Sequence, residues 1–166
     1  MSARYLAKVA VIAALYAALT LALAPISYGA LQFRVSEALT VLPFITPAAI
    51  PGLTIGCIIA NMLGPGLGIV DIVFGSLATL IAALLTWRSR KVWLAPLPPV
   101  VANGIIIGIL INYVFKAPLL PSMASVAFGE LVVCYLLGYP LLLLIGRNRA
   151  LRDLLTDDAR PERART

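Results

Sequence analysis

Three long apolar runs constrain the fold more than any other feature of this sequence. They cover residues 9–24, 94–115 and 126–145, and they approach or exceed the ~20 residues with which an α-helix crosses a bilayer. Only 12% of the 166 residues are charged, whereas about 25% are charged in a typical soluble domain. The sequence therefore predicts an all-α integral membrane protein built as one helical bundle.

The number of membrane crossings depends on residues 38–63, which are apolar but interrupted by prolines and glycines. One kinked span there gives five crossings, and two short spans give six. With six, 11 basic residues share a face with both termini and 2 lie on the opposite face. Basic residues concentrate in cytoplasmic segments, so we predict six transmembrane helices with both termini cytoplasmic. The predicted segments are a cytoplasmic N-terminal tail at 1–8, a transmembrane substrate-binding domain at 9–145 and a polar cytoplasmic tail at 146–166.

Local signals set the expected helix boundaries. Ser36 is expected to cap the second helix, with Glu37 in its first turn, where a carboxylate complements the helix dipole. A short proline-bounded turn at 46–51 then leads into the third helix. The last outer loop is expected at 116–125 and the sixth helix at 126–145.

Composition excludes several function classes. The net charge of +6 resides in the tails and one loop, which indicates membrane topology and not a nucleic-acid partner. The chain contains no histidine, and Cys57 and Cys134 lie inside apolar runs without metal-ligand spacing. We therefore expect no metal, no cofactor and no enzymatic activity. No P-loop sequence is present, so active transport would draw energy from a partner subunit or an ion gradient.

Four charged residues fall within or beside the predicted spans: Arg34, Glu37, Asp71 and Glu130. A charge at membrane depth costs several kcal/mol unless it is paired or faces a cavity. On the predicted topology Glu130 lies ~8 Å below the outer boundary at 1.5 Å per residue, so all three acids occupy the outer half. This asymmetry predicts a cavity open to the outside. The candidate substrate-binding residues are Phe33, Arg34, Glu37, Asn61, Asp71, Phe74, Asn103 and Glu130.

Most of these residues also have a purely structural interpretation. Asp71 can cap its helix, Arg34 can extend to the lipid headgroups, and Glu37 can pair with Arg34. Asn61 can satisfy a loop or a neighbouring helix. Glu130 has no basic residue in its own span, and a functional role is the default for such a residue.

The first apolar run carries alanine every fourth residue. The strip consists of Ala10, Ala14, Ala18 and Ala22, with Ala13 and Ala17 alongside. Such small residues let a second helix approach closely. Spacing alone favours packing inside the bundle and docking of another protein equally.

Three segments resemble the QueT family of queuosine-precursor transporters. They are residues 33–43 (FRVSEALTVLP), 52–61 (GLTIGCIIAN) and 71–80 (DIVFGSLATL), within a resemblance that extends over residues 5–145. This family is grouped with the substrate-binding S-components of energy-coupling factor (ECF) transporters. The resemblance implies a six-helix protein that captures a micronutrient from outside, working with a transmembrane T-component and cytoplasmic ATPase subunits.

The resemblance also assigns roles to segments of this chain. In such proteins the first outer loop, here residues 25–36, gates the site. An Ala-x-x-x-Ala strip on the first helix meets the T-component, which maps to the strip at Ala10, Ala14, Ala18 and Ala22, although two registers are open. The implied ligand is a 7-deazaguanine.

For that ligand, Glu37 or Glu130 is expected to accept hydrogen bonds from the ring N–H and the exocyclic amine. Asp71 is expected to meet an aminomethyl cation, and Phe33 or Phe74 to stack on the ring. Two other functions stay open: a standalone secondary permease driven by protons through Glu130 or Asp71, and a membrane-assembly protein whose polar residues only join helices.

Overall fold

The computed structural model describes residues 2–28 and 33–156, and all regular structure within those ranges is helical. The helices, in chain order, are α1 (Ala3–Ala22), α2 (Ala24–Ser27), a 3₁₀ helix (Val35–Phe44), α3 (Ala49–Leu63), α4 (Ile69–Arg88), a 3₁₀ turn (Val92–Leu94), α5 (Leu97–Phe115), α6 (Leu119–Val133), a π-helical turn (Cys134–Gly138), α7 (Tyr139–Arg147) and α8 (Arg149–Leu155).

Four segments of the described chain are long and apolar enough to cross a membrane: Ala3–Ala22, Ile69–Arg88, Val92–Phe115 and Leu119–Arg147. These confirm the prediction of an all-α membrane protein. The 3₁₀ helix and α3 are apolar but shorter than a span. The first span begins at Ala3, so most of the predicted tail at 1–8 forms the first turns of α1.

Helix α3 packs along α1 and runs in the same direction. A Cβ at Gly52 would lie 3.0 Å from the Ile12 side chain, and one at Gly56 would lie 2.8 Å from the Ala13 carbonyl oxygen. Beyond the end of α1, the Tyr28 hydroxyl donates to the Ala60 carbonyl near the end of α3, at 2.8 Å. The 3₁₀ helix must therefore return the chain from the far end of α1 to the start of α3.

The start of α1 and the end of α8 lie at the same end of the bundle. The Lys8 ammonium near the start of α1 donates to the Leu155 carbonyl at the end of α8, at 3.2 Å. The connection between α4 and α5 is near the π-helical turn that leads into α7, because the Tyr135 hydroxyl donates to the Trp93 carbonyl at 3.2 Å. We call the end defined by Lys8 and Leu155 the terminal end, and the opposite one the distal end.

The second segment is a 3₁₀ helix with Arg34 as its N-cap, which corrects the expectation that Ser36 caps an α-helix. The Glu37 N–H bonds to the Arg34 carbonyl at 2.8 Å, so the first i→i+3 turn begins at Arg34, two residues ahead of Ser36. β-Branched residues and Pro43 lower the α-helical propensity here. Ser36 instead accepts a 2.6 Å hydrogen bond from Thr20 of α1.

Helix α6 begins seven residues earlier than predicted, at Leu119 and not at 126. The expected loop at 116–125 shortens accordingly, with Lys116 in the left-handed region at φ 55° and Pro118 as the N-cap. Pro121 falls in the first turn of α6, where proline removes no intrahelical hydrogen bond. Glu130 is consequently about 16 Å from the first residue of α6 at 1.5 Å per residue. The predicted start of this helix was therefore wrong, and the depth of Glu130 below the outer boundary stays a prediction.

The close contact of α1 and α3 gives the first testable prediction, for Gly56→Ala. The added methyl would lie 2.8 Å from the Ala13 carbonyl oxygen and 2.9 Å from the Tyr16 Cβ, so the helices must separate. Overpacking of this kind costs about 1–3 kcal/mol. We expect a lower Tm in detergent for Gly56→Ala. The control is Ile55→Val at the neighbouring position, 43% exposed; an equal Tm for the two variants would contradict the prediction.

Candidate functional site

The polar residues of the bundle gather around the 3₁₀ helix. Arg34 is 8% exposed and Glu37 is 1% exposed, so both are inside the protein and neither extends to the lipid headgroups. Asn61, Asp71, Asn103 and Glu130 are buried as well. Their contacts form two clusters, one around Arg34 and one around Glu130, and Glu37 lies between them.

Arg34 is held from three sides. One terminal nitrogen of its guanidinium donates to the Asn61 amide oxygen at 3.0 Å and lies 3.8 Å from the Cys57 sulfur. The guanidinium carbon is 5.5 Å from the Tyr28 ring centroid and 5.9 Å from that of Tyr16, within the range of cation–π attraction. These contacts compensate part of the cost of burying the charge.

Asn61 joins Arg34 to the start of α4. Its amide nitrogen donates to the Asp71 backbone carbonyl at 3.0 Å and is 3.5 Å from the Cys57 sulfur. Thr79 also donates to that sulfur at 3.3 Å. A Cβ at Gly75 would lie 2.8 Å from the Asn61 amide nitrogen and 2.8 Å from an Asp71 carboxylate oxygen. Because residue 75 is a glycine, both side chains can pass over the surface of α4.

Glu37 is anchored to α1 by the Tyr16 hydroxyl, which donates to its Oε1. Tyr16 is fully buried, and a buried hydroxyl needs a partner. One turn along α1, Thr20 bonds Ser36 as described. Two neighbouring contacts from α1 thus fix the rotation of the 3₁₀ helix.

Glu130 forms the second cluster with α5. The Asn103 amide nitrogen donates to its Oε1 at 2.9 Å, and the same amide contacts the Glu37 carboxylate. The Cys134 sulfur is 3.6 Å from Glu130 Oε2 and 3.5 Å from the Glu37 carbonyl oxygen. Thr40 donates to that carbonyl at 2.5 Å. Asn103 and Cys134 therefore bring the two buried glutamates to one polar centre.

Each cluster leaves one polar atom beside it buried without a hydrogen-bond partner among the described residues: Arg34 Nε in the first and Glu37 Oε2 at the polar centre. An unsatisfied buried donor or acceptor costs about 1–3 kcal/mol, and more when it is charged. Such atoms mark a place where a ligand or a water molecule completes the bonding.

A cavity of about 580 Å³ opens at the distal end of the bundle. It is lined by Tyr28, Asp71, the 65–67 segment between α3 and α4, and residues at the junction of α5 and α6. Partial burial raises the pKa of Tyr28, and the nearby Arg34 guanidinium opposes that shift. Among the described residues that line the cavity, Asp71 is the acid, and Asn61 connects its backbone to the Arg34 cluster.

The two aromatic residues that were predicted to stack on the ligand lie in different environments. Phe33 packs edge-on against Phe128 of α6, with ring centroids 6.5 Å apart, so it lies beside the 3₁₀ helix and α6. Phe74 is 47% exposed and shares an outward face of α4 with Val73 and Leu77. The structure therefore does not bring Phe74 together with the buried polar residues.

Sequence reasoning missed Tyr16, Cys57 and Cys134 as members of the polar clusters. One signal was available: Tyr16–Thr20, Cys57–Asn61 and Glu130–Cys134 are each four residues apart, which places both members on one helix face. Cysteine inside an apolar run ordinarily packs as a small hydrophobe. For that reason a cysteine alone does not indicate a place in a polar cluster, whereas a cysteine four residues from a polar residue does.

The alanines of α1 separate into two faces. Ala10, Ala14, Ala18 and Ala22 are all exposed, whereas Ala13 and Ala17 are buried. The buried pair faces inward, where Ala13 meets Gly56 of α3. The exposed strip is therefore not used for packing within the described part of this chain.

Part of the predicted gate lies outside the described residues. Of the segment 25–36, the positions 29–32 are not among them, while residues 25–28 and 33–36 belong to or flank α2 and the 3₁₀ helix. Three of the tail arginines, Arg160, Arg163 and Arg165, also lie outside the described ranges.

Comparison with known proteins gives one family. The family model of the QueT transporter matches residues 6–147. Over 75 residues the chain is 45% identical to the curated "Queuosine precursor transporter QueT" of Lactococcus lactis subsp. cremoris (strain MG1363), in an alignment covering 44% of this chain and 43% of that relative. The alignment thus spans less than half of the curated relative, and no solved structure matches the chain. Because the family match covers most of the sequence, this multi-pass protein of the cell membrane belongs to the QueT transporter family.

Proposed function

We propose that the chain is the S-component of an ECF-type importer and that it captures a queuosine precursor of the 7-deazaguanine class from outside the cell. The observation that carries this proposal is the polar centre at which Asn103 and Cys134 join Glu37 to Glu130. The family membership and the printed name of the relative supply the transporter role and the precursor.

Two buried carboxylates suit the edge of a guanine-type ring. That edge carries a ring N–H next to an exocyclic amine, and both are donors. A carboxylate offers only acceptors, and charge-assisted hydrogen bonds are roughly twice as strong as neutral ones. In the ligand-bound protein, Glu37 or Glu130 accepts from this pair of donors, and Asn103 holds the carboxylates in place.

We assign roles to the remaining predicted residues from their positions in the structure. Asp71, in the wall of the distal cavity, meets a cationic aminomethyl group where the precursor carries one. Phe33, packed against Phe128, stacks on the ring. Arg34 and Asn61 support the wall between that cavity and Glu37. Phe74 stays exposed towards the lipid and takes no part in binding.

The proposed topology has six crossings, with both termini in the cytoplasm. The contact of Lys8 with Leu155 at the terminal end supports it, as do the basic residues Arg88, Arg90 and Lys91 at the α4–α5 connection. The 3₁₀ helix and α3 then supply the second and third crossings inside the bundle. The distal cavity with Asp71 faces outward on this topology, and residues 9–145 form the binding domain.

The decisive experiment measures binding and uptake separately. Titration calorimetry of the purified protein with 7-deazaguanine should show saturable binding, and adenine should not compete. Uptake into vesicles should require co-reconstitution with a T-component and ATPase subunits, plus ATP. Uptake by the protein alone, driven by a proton gradient, would instead favour the secondary permease; absence of any ligand would favour an assembly protein.

A further inference from the structure

We infer that Arg34 and Glu37 together select the guanine-type edge, with the Arg34 Nε–H donating to the ring carbonyl and Glu37 Oε2 accepting from the neighbouring ring N–H. This inference rests on the proposed function and deepens it. It gives the buried arginine a specificity-determining role in place of a purely structural one.

The 3₁₀ helix places the two side chains on one face. With 3.0 residues per turn, residues three apart return to the same side of the helix, and the N-cap Arg34 precedes Glu37 by three residues. The 2.8 Å hydrogen bond from the Glu37 N–H to the Arg34 carbonyl closes that turn. In an α-helix the same two positions would be rotated apart by about 60°, at 3.6 residues per turn.

In each of the two head groups one polar atom is hydrogen-bonded and another has no partner among the described residues. Asn61 and Cys57 contact a terminal nitrogen of Arg34, leaving Nε without a partner among the described residues. Tyr16 donates to Glu37 Oε1, leaving Oε2 likewise without one. Arg34 is 8% and Glu37 1% exposed, so bulk water reaches neither atom freely.

Both head groups also contact the same side chain, that of Tyr16. The Arg34 guanidinium carbon is 5.9 Å from the centroid of the Tyr16 ring, and the hydroxyl of that same ring bonds Glu37. Neither free atom is hydrogen-bonded to the other. A donor and an acceptor that flank one phenol in this way can address two polar groups of a single heterocycle.

The order of donor and acceptor decides which ring fits. A guanine-type edge presents a carbonyl acceptor beside a ring N–H donor, the complement of Arg34 Nε–H beside Glu37 Oε2. An adenine-type edge presents an amine donor beside a ring-nitrogen acceptor, which sets donor against donor and acceptor against acceptor. A site that leaves its own buried polar groups unpaired rejects such an analogue strongly.

The test combines variants with ring analogues in binding titrations of the full-length protein. Arg34→Lys keeps the charge but loses the planar Nε–H, so it should weaken 7-deazaguanine roughly 10- to 100-fold, the range for a hydrogen bond to a charged group. For 2-amino-7-deazapurine, which lacks the carbonyl and with it the ring N–H, the same variant should lose less than about threefold. Arg149→Lys, at an exposed arginine, is the matched control.

A second test compares the affinities of two ligands for the wild-type protein and needs no variant. It should bind 7-deazaguanine about tenfold or more tightly than 7-deaza-6-thioguanine, because the thiocarbonyl is a weak acceptor and the rest of the edge is unchanged. Equal affinity for these two rings, or equal losses for all rings in Arg34→Lys, overturns the inference while the proposed function stands. Failure of the wild type to bind any 7-deazaguanine overturns both.

Discussion

Glu130→Gln is expected to weaken binding of 7-deazaguanine by roughly 10- to 100-fold while the protein stays folded. Gln has the same shape, and its amide oxygen can still accept the 2.9 Å hydrogen bond that Asn103 gives to Glu130 Oε1. The amide nitrogen then replaces Oε2 beside Cys134. An acceptor thereby becomes a donor at the polar centre where the ligand donors are proposed to lie.

Calorimetric titration of purified Glu130→Gln checks this expectation, with a thermal melt to verify folding. The control is Asp153→Asn, which removes the same charge from a side chain that is 72% exposed at the terminal end. An unchanged affinity for Glu130→Gln, in a variant with a wild-type Tm, would remove Glu130 from the binding site. The carboxylate of Glu37 would then be the remaining candidate for the ring donors.

Ala14→Trp is expected to abolish assembly with the T-component and to reduce uptake more than about tenfold, without changing ligand affinity. The exposed strip of Ala10, Ala14, Ala18 and Ala22 allows a second helix to approach its backbone closely, which is the packing mode of small residues in membranes. An indole at position 14 prevents that approach. The polar centre lies on the opposite, buried face of α1, so binding of 7-deazaguanine should survive.

Copurification from a host that co-expresses the T-component and the ATPases measures assembly, and titration of the isolated variant measures binding. Val101→Trp is the matched control, because it adds the same side chain at a position of α5 that is 49% exposed. Wild-type levels of copurification for Ala14→Trp would show that the partner uses another face. Equal losses for both variants would indicate a general effect of the bulky side chain.

The general architecture could be predicted because hydrophobicity is a property of long segments. The apolar runs gave the helical membrane fold, and the charged residues inside or beside them gave Arg34, Glu37, Asp71 and Glu130 as residues of interest. All four are buried in the structure. The number of crossings stays a prediction, since α3 and the 3₁₀ helix are each shorter than a span.

The local geometry was harder to predict for identifiable physical reasons. Hydropathy does not separate a 3₁₀ helix from an α-helix, so the cap was assigned to Ser36 and not to Arg34. Proline is tolerated in a first turn, so α6 includes Pro121 and begins at Leu119, ahead of the predicted start at 126. The orientation of Phe74 depends on how α4 is rotated in the bundle. The hydropathy of a whole segment does not specify that rotation.

The length of the 3₁₀ helix has a consequence for how related sequences can diverge. One inserted or deleted residue between Arg34 and Glu37 would turn the later side chains by about 120° at three residues per turn. The hydroxyl of Tyr16 would then lose Glu37, and Cys134 would lose the Glu37 carbonyl. The backbone at Gly138 already approaches the 3₁₀ helix closely, since a Cβ there would lie 3.0 Å from the Ala38 carbonyl oxygen, so little room is left for a compensating shift. Homologues with the same site should therefore vary in the composition of this segment but never in its length.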